Sequence, residues 1–291
     1  MKLQCTDLVK TYGTLHAVDH IALTLEQGKI YGLIGRNGAG KTTLLSLLTA
    51  QNPATAGEVT LDGAPVWENR EALGHLCFSR ELNISPETGL GNLKVKEYLR
   101  IASIYYPHWD AGMAQELTEL FCLPVKKKLQ KLSKGMLSMV TIIVALASKA
   151  DFTFLDEPVA GLDVVARDQF YKLLLEEYSA TGRTFVISTH IIEEAADVLE
   201  EVIILREGKL LMTENVQDLL DSARYVSGKA DEVDAAVRGL EVHHAESMGR
   251  SKGVTVLLKP GEAVDESREV TVQPMSLQKI FVALCGEEVQ V

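Results

Sequence analysis

Long hydrophobic runs are missing from this sequence. No apolar stretch approaches the roughly 20 residues that a membrane-spanning helix needs, and the longest candidate, residues 140–147, is followed closely by Lys149. The amino-terminal residues also lack the apolar core of a secretory signal peptide. These two absences predict a cytoplasmic protein.

Cysteine and positive charge are also scarce. The four cysteines are Cys5, Cys77, Cys122 and Cys285. They show no C-x-x-C spacing, so we expect reduced thiols without a metal or redox role. The 40 aspartates and glutamates outnumber the 29 lysines and arginines, which gives a formal net charge of −11. This balance argues against broad nucleic-acid binding and predicts that any membrane contact is made through a protein partner, not through anionic lipid.

Glycine, in contrast, is concentrated where a phosphate would bind. Residues 35–43 read GRNGAGKTT, which fits G-x-x-x-x-G-K-T, and they lie between an apolar strand candidate at 29–34 and an apolar helix candidate at 44–48. Unless this is merely a glycine-rich turn, its N–H groups and the helix dipole would hold a polyphosphate. Lys41 would reach the terminal phosphates, and Thr42 would ligate magnesium. The predicted phosphate-binding residues are Gly35, Asn37, Gly38, Ala39, Gly40, Lys41, Thr42 and Thr43.

The segments around this loop predict strands and helices. Residues 2–9 and 17–25 read as a hairpin, and Tyr12 in its turn is either an adenine-stacking or a packing residue. A short strand is predicted at 57–63 and another at 73–78. Apolar residues recur at spacings of three and four residues over 95–104 and 113–121. This spacing predicts two helices, inserted between strands, that form a helical subdomain.

Three further polar positions stand at the ends of buried segments. Ser133 and Gly135 precede the apolar run 140–147, so they form either a second anion site or an ordinary helix N-cap. Asp156 and Glu157 end an apolar strand, where one carboxylate would hold magnesium through water and the next would polarise an attacking water, unless they only end a solvated strand. His190 follows the predicted strand 184–189 and is either structural or a phosphate contact.

Taken together, these motifs resemble one family. GRNGAGKTT, then LSKGM at 132–136, FTFLDEP at 152–158, AGLD at 160–163 and STH at 188–190 resemble the ATP-binding subunit of an ABC transporter. The resemblance implies an α/β P-loop NTPase fold of ABC ATPase type over residues 1–220. An antiparallel β subdomain and a helical subdomain at about 85–148 would belong to it. Residues 221–291 lie beyond the likeness, and their pattern predicts a small C-terminal α/β accessory domain.

The resemblance also assigns roles within one subunit. Tyr12 corresponds to the adenine-stacking aromatic residue, and Lys41 belongs to the phosphate loop. Thr42 and Asp156 correspond to the magnesium site, Glu157 to the catalytic base and His190 to the switch histidine at the γ-phosphate. ATP and Mg²⁺ are therefore the expected cofactors.

Other family positions imply a second subunit. Ser133 and Gly135 match signature residues that contact the ATP held by the opposite subunit, and Asp163 matches the residue that communicates across the dimer. We therefore expect two copies of the chain in each working unit, most simply as a homodimer.

The sequence departs from the family pattern at two places. The signature carries Lys134 and Met136 where the family usually has Gly and Gln. The family also has a magnesium-binding glutamine after the strand that ends near residue 78, yet no glutamine occurs between residues 51 and 115. Ser79 and Glu81 are the candidates to replace it, and Ser79 is the predicted metal ligand.

The expected function is ATP hydrolysis that powers transport through a separate integral membrane permease, with the chain peripheral on the inner face of the cell membrane. Residues 275–281 resemble the closing helix of ATPase subunits of drug and antibiotic exporters, which favours export. Two alternatives remain: a soluble ABC-type ATPase that acts on ribosomes or DNA, and a module that senses ATP without turnover, which the missing glutamine suggests.

Overall fold

The computed structural model describes residues 1–286, which contain three β-sheets and ten α-helices. The strands are β1 (Lys2–Tyr12), β2 (Leu15–Glu26), β3 (Ile30–Gly35), β4 (Ala56–Leu61), β5 (Ala64–Pro65), β6 (Leu76–Ser79), β7 (Phe152–Asp156), β8 (Thr184–Ser188), β9 (Glu201–Arg206), β10 (Lys209–Asn215), β11 (Ala223–Lys229), β12 (Val242–Met248), β13 (Ser251–Leu257) and β14 (Val270–Pro274). The helices are α1 (Lys41–Leu48), α2 (Arg70–Gly74), α3 (Val95–Tyr105), α4 (Ala111–Leu120), α5 (Lys134–Ala147), α6 (Val164–Thr181), α7 (Ile192–Ala196), α8 (Val216–Ser222), α9 (Ala230–Ala236) and α10 (Leu277–Cys285). Among the described residues, no helix is both long and apolar enough to cross a membrane.

The central sheet brings the predicted motifs to one edge. Its strand order is β10-β9-β3-β8-β7-β6, and all pairs are parallel except the edge pair β9–β10. The carboxyl ends of parallel strands share an edge, which is where open α/β sheets bind ligands. Gly35, Ser79, Asp156 and Ser188 are the last residues of β3, β6, β7 and β8.

Side-chain alternation divides the central core between the two faces of this sheet. Phe154 and Val186 pack with Leu44 of α1 in one cluster of buried residues. Phe185 and Ile187 belong to the other cluster, which includes buried residues of α5 and α6. Because neighbouring side chains of a strand point to opposite faces, α1 covers one face and α5 and α6 cover the other.

The predicted hairpin is confirmed. Strands β1 and β2 pair antiparallel around a turn at Gly13, and β4 and β5 extend this sheet in the order β2-β1-β4-β5. The strand predicted at 73–78 is wrong at its start. The Asn69 side chain accepts hydrogen bonds from the N–H groups of Glu71 and Ala72 and so caps α2, which keeps the chain helical until Gly74.

Helices α3 and α4 are present where the periodicity predicted helices, and α5 contains the apolar run 140–147. Helix α4 begins before the predicted residue 113, because the Asp110 carboxylate caps it by accepting from the Met113 N–H at 2.9 Å. The lysine run 126–128 is exposed, as expected of a solvated loop.

A third sheet follows α8, with the order β12-β13-β11-β14. Strands β11 and β12 both pair antiparallel with β13, so β11-α9-β12 is a split β-α-β unit. Val226, Val233 and Val254 form its own small core. Helix α10 is not part of this small core: Leu277 and Ile280 are buried with residues of α7 and α8, and the helix also contacts β12. Within the predicted range 221–291, residues 287–291 lie outside the described residues.

Candidate nucleotide site

The phosphate-loop stretch has the backbone of a specialised turn. Gly38 and Gly40 have φ values of 83° and 97°, which favour glycine, and Gly40 is the N-cap of α1. A Cβ built on Gly40 would collide with the Ala17 carbonyl oxygen, and one on Gly35 would lie 2.8 Å from the Leu205 carbonyl oxygen. Close packing therefore requires Gly35 and Gly40, and positive φ favours glycine at Gly38. The loop presents the start of α1 at the sheet edge.

Lys41 is the first residue of α1 and is 8% exposed. Its ammonium group donates to the carbonyl oxygens of Gly35 at 2.7 Å and Arg36 at 3.3 Å. Burial lowers the pKa of Lys41, while the charges of Glu157 and Asp156 oppose that shift. A partly desolvated cation beside the loop is suited to bind a phosphate, which would replace those carbonyl acceptors with a charged one.

Thr42 and Asp156 meet, as the resemblance implied. The Thr42 hydroxyl donates to Oδ2 of Asp156 at 2.7 Å. Oδ1 of Asp156 is buried and has no hydrogen-bond partner among the described residues. Hydroxyl and carboxylate oxygens are the ligands that Mg²⁺ prefers, and it usually binds through one or two protein groups plus substrate phosphates. The oxygens of these two side chains therefore have the chemistry to hold Mg²⁺ together with a bound phosphate.

Glu157 and His190 form a second pair at the same edge. Nδ1 of His190 lies 2.7 Å from Oε2 of Glu157, at hydrogen-bond distance. The Glu157 N–H donates to the Ser188 carbonyl oxygen at 2.9 Å, and Glu157 has a φ of 50°, which is uncommon for a residue other than glycine. The neighbouring strand therefore holds the Glu157 backbone in an unfavourable conformation, as is common at functional sites.

Tyr12 ends β1 and is half exposed. The Lys10 ammonium lies 5.3 Å from the centre of its ring, within cation–π range. The hairpin approaches the phosphate loop, because the Ala17 carbonyl oxygen of β2 lies directly against Gly40. The exposed ring is therefore on the hairpin that borders the loop, as an adenine-stacking residue requires.

The signature residues Ser133 and Asp163 cap two helices. Ser133 is the N-cap of α5, and its hydroxyl accepts from the Met136 N–H at 3.2 Å. Asp163 caps α6 in the same way: its carboxylate accepts a hydrogen bond from the Ala166 N–H at 2.9 Å. The two helix starts pack together, since a Cβ on Gly135 would lie 2.7 Å from the Gly161 carbonyl oxygen. Among the described residues, no hydrogen bond joins Ser133 or Asp163 to the phosphate loop.

The Ser79 hydroxyl makes its hydrogen bond to a helix. This hydroxyl is buried and donates to the Thr141 carbonyl oxygen of α5 at 3.0 Å. The hydrogen bonds of the described residues join it to neither Thr42 nor Asp156. Ser79 is thus tied to α5, and its role as a metal ligand stays a prediction.

Sequence reasoning missed one residue that ties these motifs together. Arg167 on α6 donates from Nε to the Leu162 carbonyl oxygen at 3.0 Å and from Nη1 to Oε1 of Glu194 at 2.9 Å. It thereby joins the turn before Asp163 to helix α7, which follows His190. An arginine four residues after the AGLD motif is the signal that could have found it, since arginine has several donors in a fixed geometry.

Comparison with known proteins agrees with this geometry. Residues 18–160 match the family model described as ABC transporter. The ABC transporter ATP-binding protein YtrB of Bacillus subtilis is 24% identical over 290 residues, which cover 98% of both chains. The bacitracin transport ATP-binding protein BcrA of Bacillus licheniformis is 32% identical over 212 residues, covering 72% of this chain and 68% of BcrA.

A solved structure of the ATP-binding subunit of an ABC transporter has the same fold, with a TM-score of 0.66 and 22% identity, over 76% of this chain and 92% of the other. The family match spans the phosphate loop and the Asp156–Glu157 pair, but not Tyr12, Asp163 or His190. The chain belongs to the family of ABC transporter ATP-binding proteins, and it is an ATPase.

Proposed function

We propose that this ATPase powers export through a separate membrane permease, by ATP-driven association of two identical copies. One observation carries the proposal: the phosphate loop, metal-binding oxygens and candidate base lie together, whereas Ser133 and Asp163 make no hydrogen bond to that site in the described chain. The signature residues would therefore act on nucleotide only in a second copy. A homodimer with two shared ATP sites is the simplest arrangement that uses all of them.

In this mechanism, each residue of the site has a defined task. Lys41 and the N–H groups at the start of α1 would bind the terminal phosphates, and Thr42 and Asp156 would hold the metal. Mg²⁺, when bound with ATP, would neutralise charge on the phosphate oxygens. Glu157 accepts a proton from the attacking water, and His190 fixes the carboxylate through their 2.7 Å contact.

The signature acts from the opposite subunit. Ser133 and Gly135 would contact the γ-phosphate there, so ATP joins the two subunits and its hydrolysis releases them. The free energy of ATP binding would be used for closure in this scheme.

A groove of about 400 Å³ between α3 and the segment after β6 supports coupling to a permease. Its apolar wall includes Ile101 and Tyr105, and Ile104 on the same helix is 74% exposed. A cytoplasmic segment of the permease would cover these side chains and hold the ATPase on the inner face of the membrane. This contact needs no anionic lipid, in keeping with the net charge of −11.

Two substitutions test the ATPase cycle. Lys41→Ala should weaken ATP binding in a fluorescent-nucleotide titration, because a phosphate-binding cation is lost. Glu157→Gln should bind ATP normally, lose about 10²–10⁴-fold in hydrolysis and accumulate as a closed dimer in size-exclusion chromatography. Lys172→Gln is the matched control for loss of a positive charge, since Lys172 is exposed on α6 and pairs only with Asp168 at 2.7 Å among the described residues.

The outcomes separate the alternatives. Hydrolysis by Glu157→Gln at the wild-type rate would show that the base is assigned wrongly. Wild-type protein that binds ATP without turnover, even with its membrane partner, would favour the ATP-sensing module. ATP-dependent uptake of substrate into inside-out vesicles that contain the permease would support export, whereas turnover coupled only to ribosomes or DNA would favour the soluble ATPase.

A further inference from the structure

Ser188 is a buried hydroxyl at the catalytic edge of the central sheet. It is the last residue of β8, is 0% exposed, and lies in register with Asp156 of β7 and Leu33 of β3. Its Oγ has no hydrogen-bond partner among the described residues. Most buried side-chain hydroxyls in proteins have a partner, so this oxygen requires an explanation.

The alternation of β7 and β8 shows which way the Ser188 side chain points. Phe154 and Val186 precede Asp156 and Ser188 by two residues, and both pack with Leu44 of α1. Side chains two apart along a strand share a face. Asp156 therefore faces α1, as its hydrogen bond with Thr42 also shows, and Ser188 faces the same side.

Two buried oxygens on paired residues of neighbouring strands thus lack protein partners. Asp156 accepts from Thr42 through Oδ2, while its Oδ1 and the Ser188 Oγ each lack a partner among the described residues. The β8 strand lies between β3, which leads into the phosphate loop, and β7. The Ser188 hydroxyl is therefore between the phosphate-binding and metal-binding parts of the site. A hard divalent cation or its bound water is a suitable partner for such oxygens.

We propose that the Ser188 hydroxyl is the third protein oxygen, with Thr42 and Asp156, that holds the divalent cation accompanying ATP. It serves in place of the glutamine that this sequence lacks after β6. The inference rests on the proposed function, because it concerns the metal that binds together with ATP. Ser79, the serine expected from sequence to do this, has its hydroxyl directed to the Thr141 carbonyl oxygen.

The test measures how much Mg²⁺ tightens ATP binding. ATP affinity is determined in excess Mg²⁺ and in EDTA, in the Glu157→Gln background so that no hydrolysis occurs. Ser188→Ala should reduce the Mg²⁺-dependent gain in affinity about tenfold, the lower end of what residues that support a metal site contribute, and should leave affinity in EDTA unchanged. Thr42→Ala is the positive control. Ser148→Ala is the control for loss of a buried serine hydroxyl outside the site, since the Ser148 hydroxyl donates to the Ala145 carbonyl oxygen.

Two further measurements complete the test. Ser188→Ala without nucleotide should keep the wild-type midpoint of urea unfolding, because no protein hydrogen bond is lost. Ser188→Cys should regain the metal-dependent affinity when Cd²⁺ replaces Mg²⁺, since a thiolate prefers a soft cation. This second variant gives a positive result that a damaged fold could not produce.

Several results would overturn the inference. An unchanged Mg²⁺ effect in Ser188→Ala, with loss of the effect in Thr42→Ala, would remove Ser188 from the metal site while leaving the ATPase assignment intact. Loss of the effect in Ser79→Ala alone would restore the sequence-based assignment. Wild-type protein whose ATP affinity does not depend on Mg²⁺ would instead contradict the proposed function itself.

Discussion

Arg183→Met should strongly destabilise the protein, because Arg183 joins helix α5 to the start of strand β8 in the interior. The guanidinium is 3% exposed and donates from Nη2 to the Leu146 carbonyl oxygen of α5 at 2.9 Å. It immediately precedes β8, which leads to His190. Its Nε lies 3.2 Å from Oε1 of Glu177, an ion-pair distance. Burial lowers the pKa of Arg183, and the charge of Glu177 opposes that effect.

The size of the expected loss in stability depends on the contacts of Glu177 that remain in Arg183→Met. Removing one partner of a buried ion pair usually costs about 3–5 kcal/mol, because the other charge stays buried. Here Lys149 still contacts both carboxylate oxygens of Glu177, at 2.9 and 2.8 Å, so one counter-charge remains. Nε and Nη1 of Arg183 lack hydrogen-bond acceptors among the described residues, which also limits the loss. We therefore expect about 3 kcal/mol, the low end of that range.

Urea unfolding followed by circular dichroism measures this loss as a lower midpoint at an unchanged slope. Lys172→Met on α6 is the control, because its ion pair with Asp168 is exposed and should contribute little to stability. In the double variant Arg183→Met with Glu177→Met, the buried carboxylate is removed while Lys149 keeps Asp110 at 3.7 Å, so stability should partly recover. A loss below about 1 kcal/mol for Arg183→Met, or no recovery in the double variant, would refute this reasoning.

Two smaller predictions follow from other contacts. Arg167→Gln should lower the hydrolysis rate by up to about 100-fold, because the turn before Asp163 and helix α7 lose their common partner. ATP binding in EDTA should stay normal. A variant that hydrolyses ATP at the wild-type rate would contradict the positioning role. Iodoacetamide at neutral pH should label Cys122 first, since it is exposed, whereas burial raises the pKa of Cys5 to about 11. Peptide mass spectrometry that finds Cys5 labelled first would disprove this order.

The phosphate loop could be predicted from sequence because local rules determine it. Gly38 and Gly40 need positive φ, and the residues that follow them form a helix, so spacing alone specifies the turn. The strands that end at Asp156 and Ser188 are short apolar runs, which could be recognised for the same reason. Parallel strands then bring their carboxyl ends together, and this is how distant motifs meet at one edge.

The remaining contacts depend on packing between distant segments, which no local pattern encodes. Helix α10 was correctly expected as a helix, yet its burial against α7 and α8 follows from tertiary packing alone. The role of Ser188 likewise depends on strand order and register, because a serine before Thr-His reads as part of a strand. Ser79 also shows this limit: sequence places it at the end of a neighbouring strand, but only the packing of α5 shows where its hydroxyl bonds.

The two departures from the family pattern meet in the structure. The ammonium of Lys134, at the start of the signature helix, lies 3.4 Å from Oε1 of Glu81, in the segment that lacks the glutamine. Both side chains are more than half exposed, so the pair contributes about 0–1 kcal/mol and its charges remain free to exchange partners. A triphosphate held by a second copy would attract Lys134 more strongly than one carboxylate does, since it carries more charge. The unusual lysine therefore adds a cation to the face that the proposed dimer would present to ATP, and Glu81 neutralises it while the subunits are apart.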